Sequence, residues 1–125
     1  MSAPAERVPV SRDIELPAAP DEVWDALTSS ELLEAWLGEA VELEPRAGGS
    51  VVVREPDGAV RRGIVERAKP GRELVFRWRR LVGAGPSLRV GEATRVAFAL
   101  QEIASGTRLT VTEEPAELVS TGAGR

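Results

Sequence analysis

The sequence predicts an α+β domain built on an antiparallel sheet, and three features predict it. The first is the stretch from Gly71 to Arg79, where Leu74, Phe76 and Trp78 alternate with Arg77 and Arg79. The apolar side chains would line one face of a strand and the charged ones the other, with Val75 the one break. The second is a pair of tight-turn signals, Glu55-Pro56-Asp57-Gly58 and Lys69-Pro70-Gly71, which make the strands they join antiparallel. The third is that helical spacing occurs only between the first strand and the rest, and helices grouped in this way gather on one face or end of a sheet.

The first strand runs from Val8 to Leu16, with Val8, Val10, Ile14 and Leu16 near one parity, broken by Arg12, and with Pro9 placing its start at a sheet edge. Pro17-Ala18-Ala19-Pro20 ends it and starts a helix, because Pro suits the first helical turn and Asp21 and Glu22 complement the dipole there. Val23, Trp24 and Leu27 give that helix an inner side. Ser30 caps a second helix, Glu31 to Leu37, whose Leu32, Leu33, Trp36 and Leu37 fall at helical spacing, and Gly38 closes it. Strands then follow at 41–44, 50–54, 59–68, 71–79, 94–100 and 107–112, making seven in all. The stretch from Arg80 to Gly91 carries three Gly and a Pro and reads as a loop, either a mobile lip over a binding site or plain slack.

A chain of 125 residues is the length of one domain that can bury a core without a disulfide or structural metal. We take residues 1–125 as that domain, with a core at 7–114 and a short tail at 115–125. Its 42% hydrophobic and 29% charged residues are a globular balance. The net charge of -4 argues against nucleic acid, which needs a concentrated basic field. The helix pair resembles a helix-turn-helix, but Glu31, Glu34 and Glu39 around its second helix would repel phosphate. Met1 to Glu6 lacks the apolar run of a secretion signal, and nothing approaches the ~18 apolar residues of a membrane span. A cytoplasmic protein is expected. Lys69 is the one Lys among the basic residues, a bias that suggests a GC-rich bacterial genome.

With no Cys and no His, the chain has no thiol nucleophile and lacks the commonest general base and metal ligand. Ser11, Ser50 and Ser105 have no His to activate them, so a triad is excluded. No spaced acidic loop offers an all-oxygen metal site. No catalytic residue, metal or cofactor is expected. Glu66 shares a strand parity with Ile64 and Arg62, and is either a polar handle for a ligand or half of a rim ion pair, the commoner case. Arg61-Arg62 and Arg79-Arg80, interleaved with Trp78, read as a solvated outer face rather than a nucleic-acid patch.

The segment from Leu16 to Thr28, followed by Leu32-Leu33-Glu34-Ala35-Trp36-Leu37-Gly38, closely resembles the opening of the family of homologues of the activator of heat-shock protein 90 ATPase. That family lies in the START-like, helix-grip (SRPBCC) superfamily, which also contains polyketide cyclases. Gly48-Gly49, Pro56-Asp57-Gly58, Gly63-Ile64-Val65-Glu66, Leu74-Val75-Phe76-Arg77-Trp78 and the run from Gly106 to Thr112 follow in the family's order. The resemblance covers about Val8 to Glu114. It implies a seven-stranded antiparallel sheet, curved around a long C-terminal helix, with a cavity for an apolar molecule between them. Here the tail after Pro115 is shorter than the ~12 residues at which an isolated helix becomes marginal, so the gripped helix is expected to be short or missing.

The residues expected to line the cavity or groove are Trp36, Val51, Val53, Ile64, Glu66, Leu74, Phe76, Trp78, Val96, Phe98, Leu100, Leu109 and Val111. Burying an apolar side chain of this kind stabilises by roughly 1.5–3 kcal/mol, so leaving eight uncovered on the sheet would forgo on the order of 10–20 kcal/mol. The expected cover is a homodimer partner foremost, otherwise another protein or a small hydrophobic ligand. The leading expectation is a non-enzymatic START-like domain that binds a small hydrophobic molecule or a protein partner across its sheet. The alternatives are a co-chaperone-like ATPase activator in a stress response and a polyketide cyclase or aromatase.

Overall fold

The computed structural model describes residues 10–37 and 40–116, except the side chains of Leu32, Ala35, Trp36 and Leu37. Val8 and Pro9, the Gly38 cap, the cavity role of the Trp36 side chain and the shortened tail from residue 117 lie outside the described residues. Strand β1 spans Val10–Leu16, helix α1 Pro20–Leu27 and helix α2 Ser30–Leu37. Then come β2 (Ala40–Leu43), β3 (Ser50–Arg54), β4 (Val60–Lys69), β5 (Glu73–Val82), β6 (Arg89–Val90), β7 (Thr94–Ile103) and β8 (Gly106–Pro115).

All strands join one curved antiparallel sheet in the order β1-β8-β7-β5-β4-β3-β2, with β6 alongside β5. The strand count is therefore eight rather than seven. The extra strand comes from the stretch read as a loop: β5 runs on to Val82, a 3₁₀ turn covers Gly85–Ser87, and Leu81 and Val82 pair with Val90 and Arg89. Its Gly and Pro residues make a hairpin corner instead of a free lip.

Local chemistry accounts for the elements. Pro20 opens α1, where the Glu22 carboxylate accepts the Ala19 N–H at 3.3 Å. At its end the Thr28 hydroxyl donates to the Trp24 carbonyl at 2.9 Å. Helix α2 begins at Ser30, one residue before the expected start. Between β4 and β5 the Arg72 N–H closes on the Lys69 carbonyl at 2.8 Å, with Gly71 at φ +75°, the left-handed position that glycine tolerates after a Pro in such a turn. The hydroxyl of Thr107, fully buried, donates to the Ala18 carbonyl at 2.6 Å and ties β8 to the segment leading into α1.

The core lies between the helices and the concave face of the sheet. Val23, Trp24 and Leu27 of α1 and Leu33 of α2 pack with Val41, Val51, Val53, Leu74, Phe76 and Phe98. Of the eight sheet residues expected to need an outside cover, six are at most 6% exposed (Leu74, Phe76, Trp78, Val96, Phe98 and Leu109), while Leu100 and Val111 are half-buried. The bare apolar wall anticipated from the sequence is thus absent among the described residues.

Strand β4 carries a bulge. Val65 pairs with Phe76 and Arg67 with Val75, leaving Glu66 as the extra residue. Counted back from Ala68, which pairs with the core residue Leu74, an unbroken strand would turn Glu66, Ile64 and Arg62 inward. The bulge reverses this, so Val65, Gly63 and Arg61 stand opposite Phe76, Trp78 and Arg80. Gly63 is required where it is: an added Cβ would fall 1.7 Å from the Arg77 carbonyl oxygen and 2.6 Å from the Trp78 Cα. These are backbone atoms that cannot swing aside. Gly63→Ala is expected to destabilise the fold by about 3 kcal/mol through overpacking, as measured by chemical denaturation.

Candidate functional site

The concave face of the sheet has three parts, which divide the expected site residues. Under the helices, Val51, Val53 and Leu74 meet Leu27 and Leu33 around a void of about 10 Å³, barely enough for one water. These three residues are packing. Beside them, between α1 and β1, an apolar crevice of about 430 Å³ is bounded by Leu16, Pro17, Val23 and Leu27, with Leu109 on its floor. At the end of the sheet away from the helices lies a bowl of about 250 Å³, floored by Phe76, Trp78, Val96, Phe98 and Val111. Ile14 borders both the crevice and the bowl.

Five expected residues therefore converge in the bowl, and the alternation of β5, β7 and β8 is what aims them there. The rings of Phe76 and Trp78 meet edge to face, with centroids 4.9 Å apart, and Phe76 lies 6.0 Å from Phe98. Leu100 packs against the core without lining either opening. Ile64 and Glu66 are corrected: the bulge turns them to the convex face, where Ile64 is 58% exposed. There the Glu66 carboxylate accepts from Arg77 at 2.7 Å and from Arg95 at 2.8 Å. Arg77 and Arg95 are directly paired across β5 and β7, a juxtaposition of like charges that would be unfavourable without the carboxylate between them. Glu66 is half of a structural ion-pair network, and its partners are these two rather than Arg62.

The bowl also holds polar residues that the sequence reading passed over. Arg12 reaches it from β1, Arg61 from β4 and Glu113 from β8. Arg61 was read as part of a solvated outer face, yet its guanidinium lies 5.2 Å from the Trp78 ring centroid, within cation–π range. Arg62, its neighbour, does face outward, paired across the sheet with Arg79. The signal for Arg12 was present as the break in the β1 alternation. For Arg61 it was hidden, since its orientation depends on the bulge.

Arg61 is held by Glu55. One carboxylate oxygen accepts the Arg61 Nε–H at 2.6 Å and the other accepts Arg80 Nε and Nη2 at 3.1 and 3.0 Å, while Asp57 takes Arg80 Nη2 at 2.9 Å. Two carboxylates thus balance two guanidiniums at this wall. The Arg80 hydrogen bonds, with the Arg61 charge behind them, hold the Glu55 carboxyl below its ordinary value of 4.5, against the opposing effect of burial. Among the described residues no group of His, Cys, Asp and Glu gathers as a metal site, and no helix is long and apolar enough to cross a membrane.

A family profile described as "Activator of Hsp90 ATPase homolog 1-like protein" matches residues 17–123. Among solved structures, the MLL2253 protein from Mesorhizobium loti superposes with a TM-score of 0.75 at 24% identity, covering 86% of this chain and 76% of that one. DynU16, a protein in the dynemicin biosynthetic locus, gives 0.71 at 28% identity; the match covers 93% of this chain but 42% of the other. The Aha1 dimer from Colwellia psychrerythraea gives 0.65 at 20% identity, covering 93% and 88%. No curated protein matches the chain in sequence.

A carboxyl group whose value is depressed in the folded state adds stability above its unfolded value, and that stability is lost as pH falls through the folded one. Acid unfolding monitored by circular dichroism should therefore set in below pH 4.5, and Glu55→Gln should remove part of that acid sensitivity while lowering stability at neutral pH. An unchanged acid profile in the variant would show that Glu55 is not a principal contributor.

Proposed function

The chain belongs to the family of Activator of Hsp90 ATPase homolog 1-like proteins, and on that premise we propose that it is a non-enzymatic domain that binds a small apolar molecule in the bowl. The observation that carries this reading is the convergence of Phe76, Trp78, Val96, Phe98 and Val111 on one concavity of about 250 Å³. Such a volume lies just below the range of drug-sized pockets, and its apolar floor with a few polar groups has the make-up of a small-molecule site. It suits one or two fused rings rather than a protein helix, which favours a small ligand over the ATPase partner that the family's name suggests.

One observation favours a second reading, an enzyme of the cyclase type. Glu113 lines the bowl and brings a carboxylate, a candidate proton acceptor, to an otherwise apolar floor. The likeness to DynU16, a protein of a biosynthetic locus, supports the same idea. In this reading Glu113 would take a proton from a bound substrate, with Arg12 or Arg61 facing the developing negative charge.

Filling the bowl tests the leading reading. Val111 is half-buried at its floor, so Val111→Trp adds a ring to open space. The unmodified protein should bind 1-anilinonaphthalene-8-sulfonate saturably by fluorescence, and the variant should bind at least tenfold more weakly with its thermal midpoint little changed. No saturable binding, or equal binding by the filled variant, would remove the proposal.

A further inference from the structure

The polar groups of the bowl specify a ligand class more narrowly than its apolar floor does. Arg12 lies on β1 between Val10 and Ile14 and borders the bowl, opposite Val111 in register, while Glu113 lies opposite Val10. The two are thus one residue pair apart on the same face of adjoining strands, yet no ion pair joins them, and neither has a hydrogen-bond or ion-pair partner among the described residues. The other cation at the bowl is already balanced: Arg61 and Arg80 face Glu55 and Asp57.

A solvent-exposed guanidinium and a solvent-exposed carboxylate, neither paired among the described residues, thus flank one aromatic-floored space. A guanidinium offers paired N–H donors that match a carboxylate, and an ionised carboxylate only accepts. A ligand that satisfies both must carry an anionic group for Arg12 and a hydrogen-bond donor for Glu113. Its body must be flat and apolar to lie against Phe76 and Trp78, beside the Arg61 guanidinium. We infer that the bowl takes a small aromatic acid bearing a hydroxyl group, with the carboxylate on Arg12 and the hydroxyl donating to Glu113. A charged residue pointing inward from an edge strand can also serve only to prevent edge-to-edge pairing, and the experiment separates that role from recognition. The inference rests on the bowl being a binding site, the reading proposed above.

Three probes of one shape decide it: 2-naphthol, 2-naphthoate and 6-hydroxy-2-naphthoate, titrated at neutral pH by heteronuclear NMR. In the unmodified protein 2-naphthoate should bind about tenfold more tightly than 2-naphthol, the size of one charge-assisted contact, and the hydroxy acid should bind most tightly. Arg12→Gln should abolish the advantage of both acids and leave 2-naphthol unchanged. Glu113→Gln should remove the added gain of the hydroxyl without weakening 2-naphthoate. If 2-naphthol binds as well as the acids, or Arg12→Gln weakens all three alike, the inference falls while the apolar-site reading survives. If none of the three binds, both fall.

Discussion

One extra residue in β4 decides what the concave face of this sheet presents. Without Glu66 as a bulge, the register set at the Pro70-Gly71 turn would direct Arg62 and Ile64 toward Trp78, and the small Gly63 and the Arg61 guanidinium would face solvent. With it, Gly63 brings β4 close to the backbone of Arg77 and Trp78, and Arg61 stands over the indole. The bulge residue has a role on the convex side as well, since its carboxylate lies between Arg77 and Arg95. Strand irregularities of this sort re-aim side chains by local geometry, and here a single insertion arranges both faces at once.

The two ends of the concavity follow from what covers them. Where α1 and α2 pack, Val51, Val53 and Leu74 close with Leu27 and Leu33 to a void of about 10 Å³. Phe76 and Phe98 border that packed part and also the bowl, where the same sheet continues with Trp78 and Val96 at its floor and space remains. The aromatic side chains are nonetheless at most 6% exposed, so the bowl is a recess in a packed wall rather than an unfinished core. Its one heavily charged wall is neutral by pairing, with Glu55 serving two guanidiniums and fixing the one that meets Trp78.

The readable and unreadable parts of the site divide along physical lines. Phe76, Trp78, Val96, Phe98 and Val111 were legible because unbroken alternation in β5, β7 and β8 assigns their face without reference to any partner. Ile64 and Glu66 were misplaced, and Arg61 with them, because parity counted along β4 fails at the bulge. Arg12 interrupts an otherwise apolar parity in β1. That interruption marked an inward charge, but an isolated polar residue in a strand pattern has too many explanations to be assigned a role before its neighbours across the sheet are known. Residues 80–91 misled in the opposite direction, since their glycines and proline signalled a loop where a corner and a two-residue strand form.

Periodicity and turn chemistry along the chain were enough for the α+β class, the antiparallel connections and the apolar face of the strand from Gly71 to Arg79, because each of these depends on residues close in sequence. The side of the sheet on which Arg61 and Glu66 lie, the division of the concave face into packed core and open bowl, and the placing of Arg12 and Glu113 on one rim depend on strands up to about a hundred residues apart. Those features are set by register and packing across the whole sheet, and an inserted residue or a helix laid over one end changes them without leaving a mark in local composition.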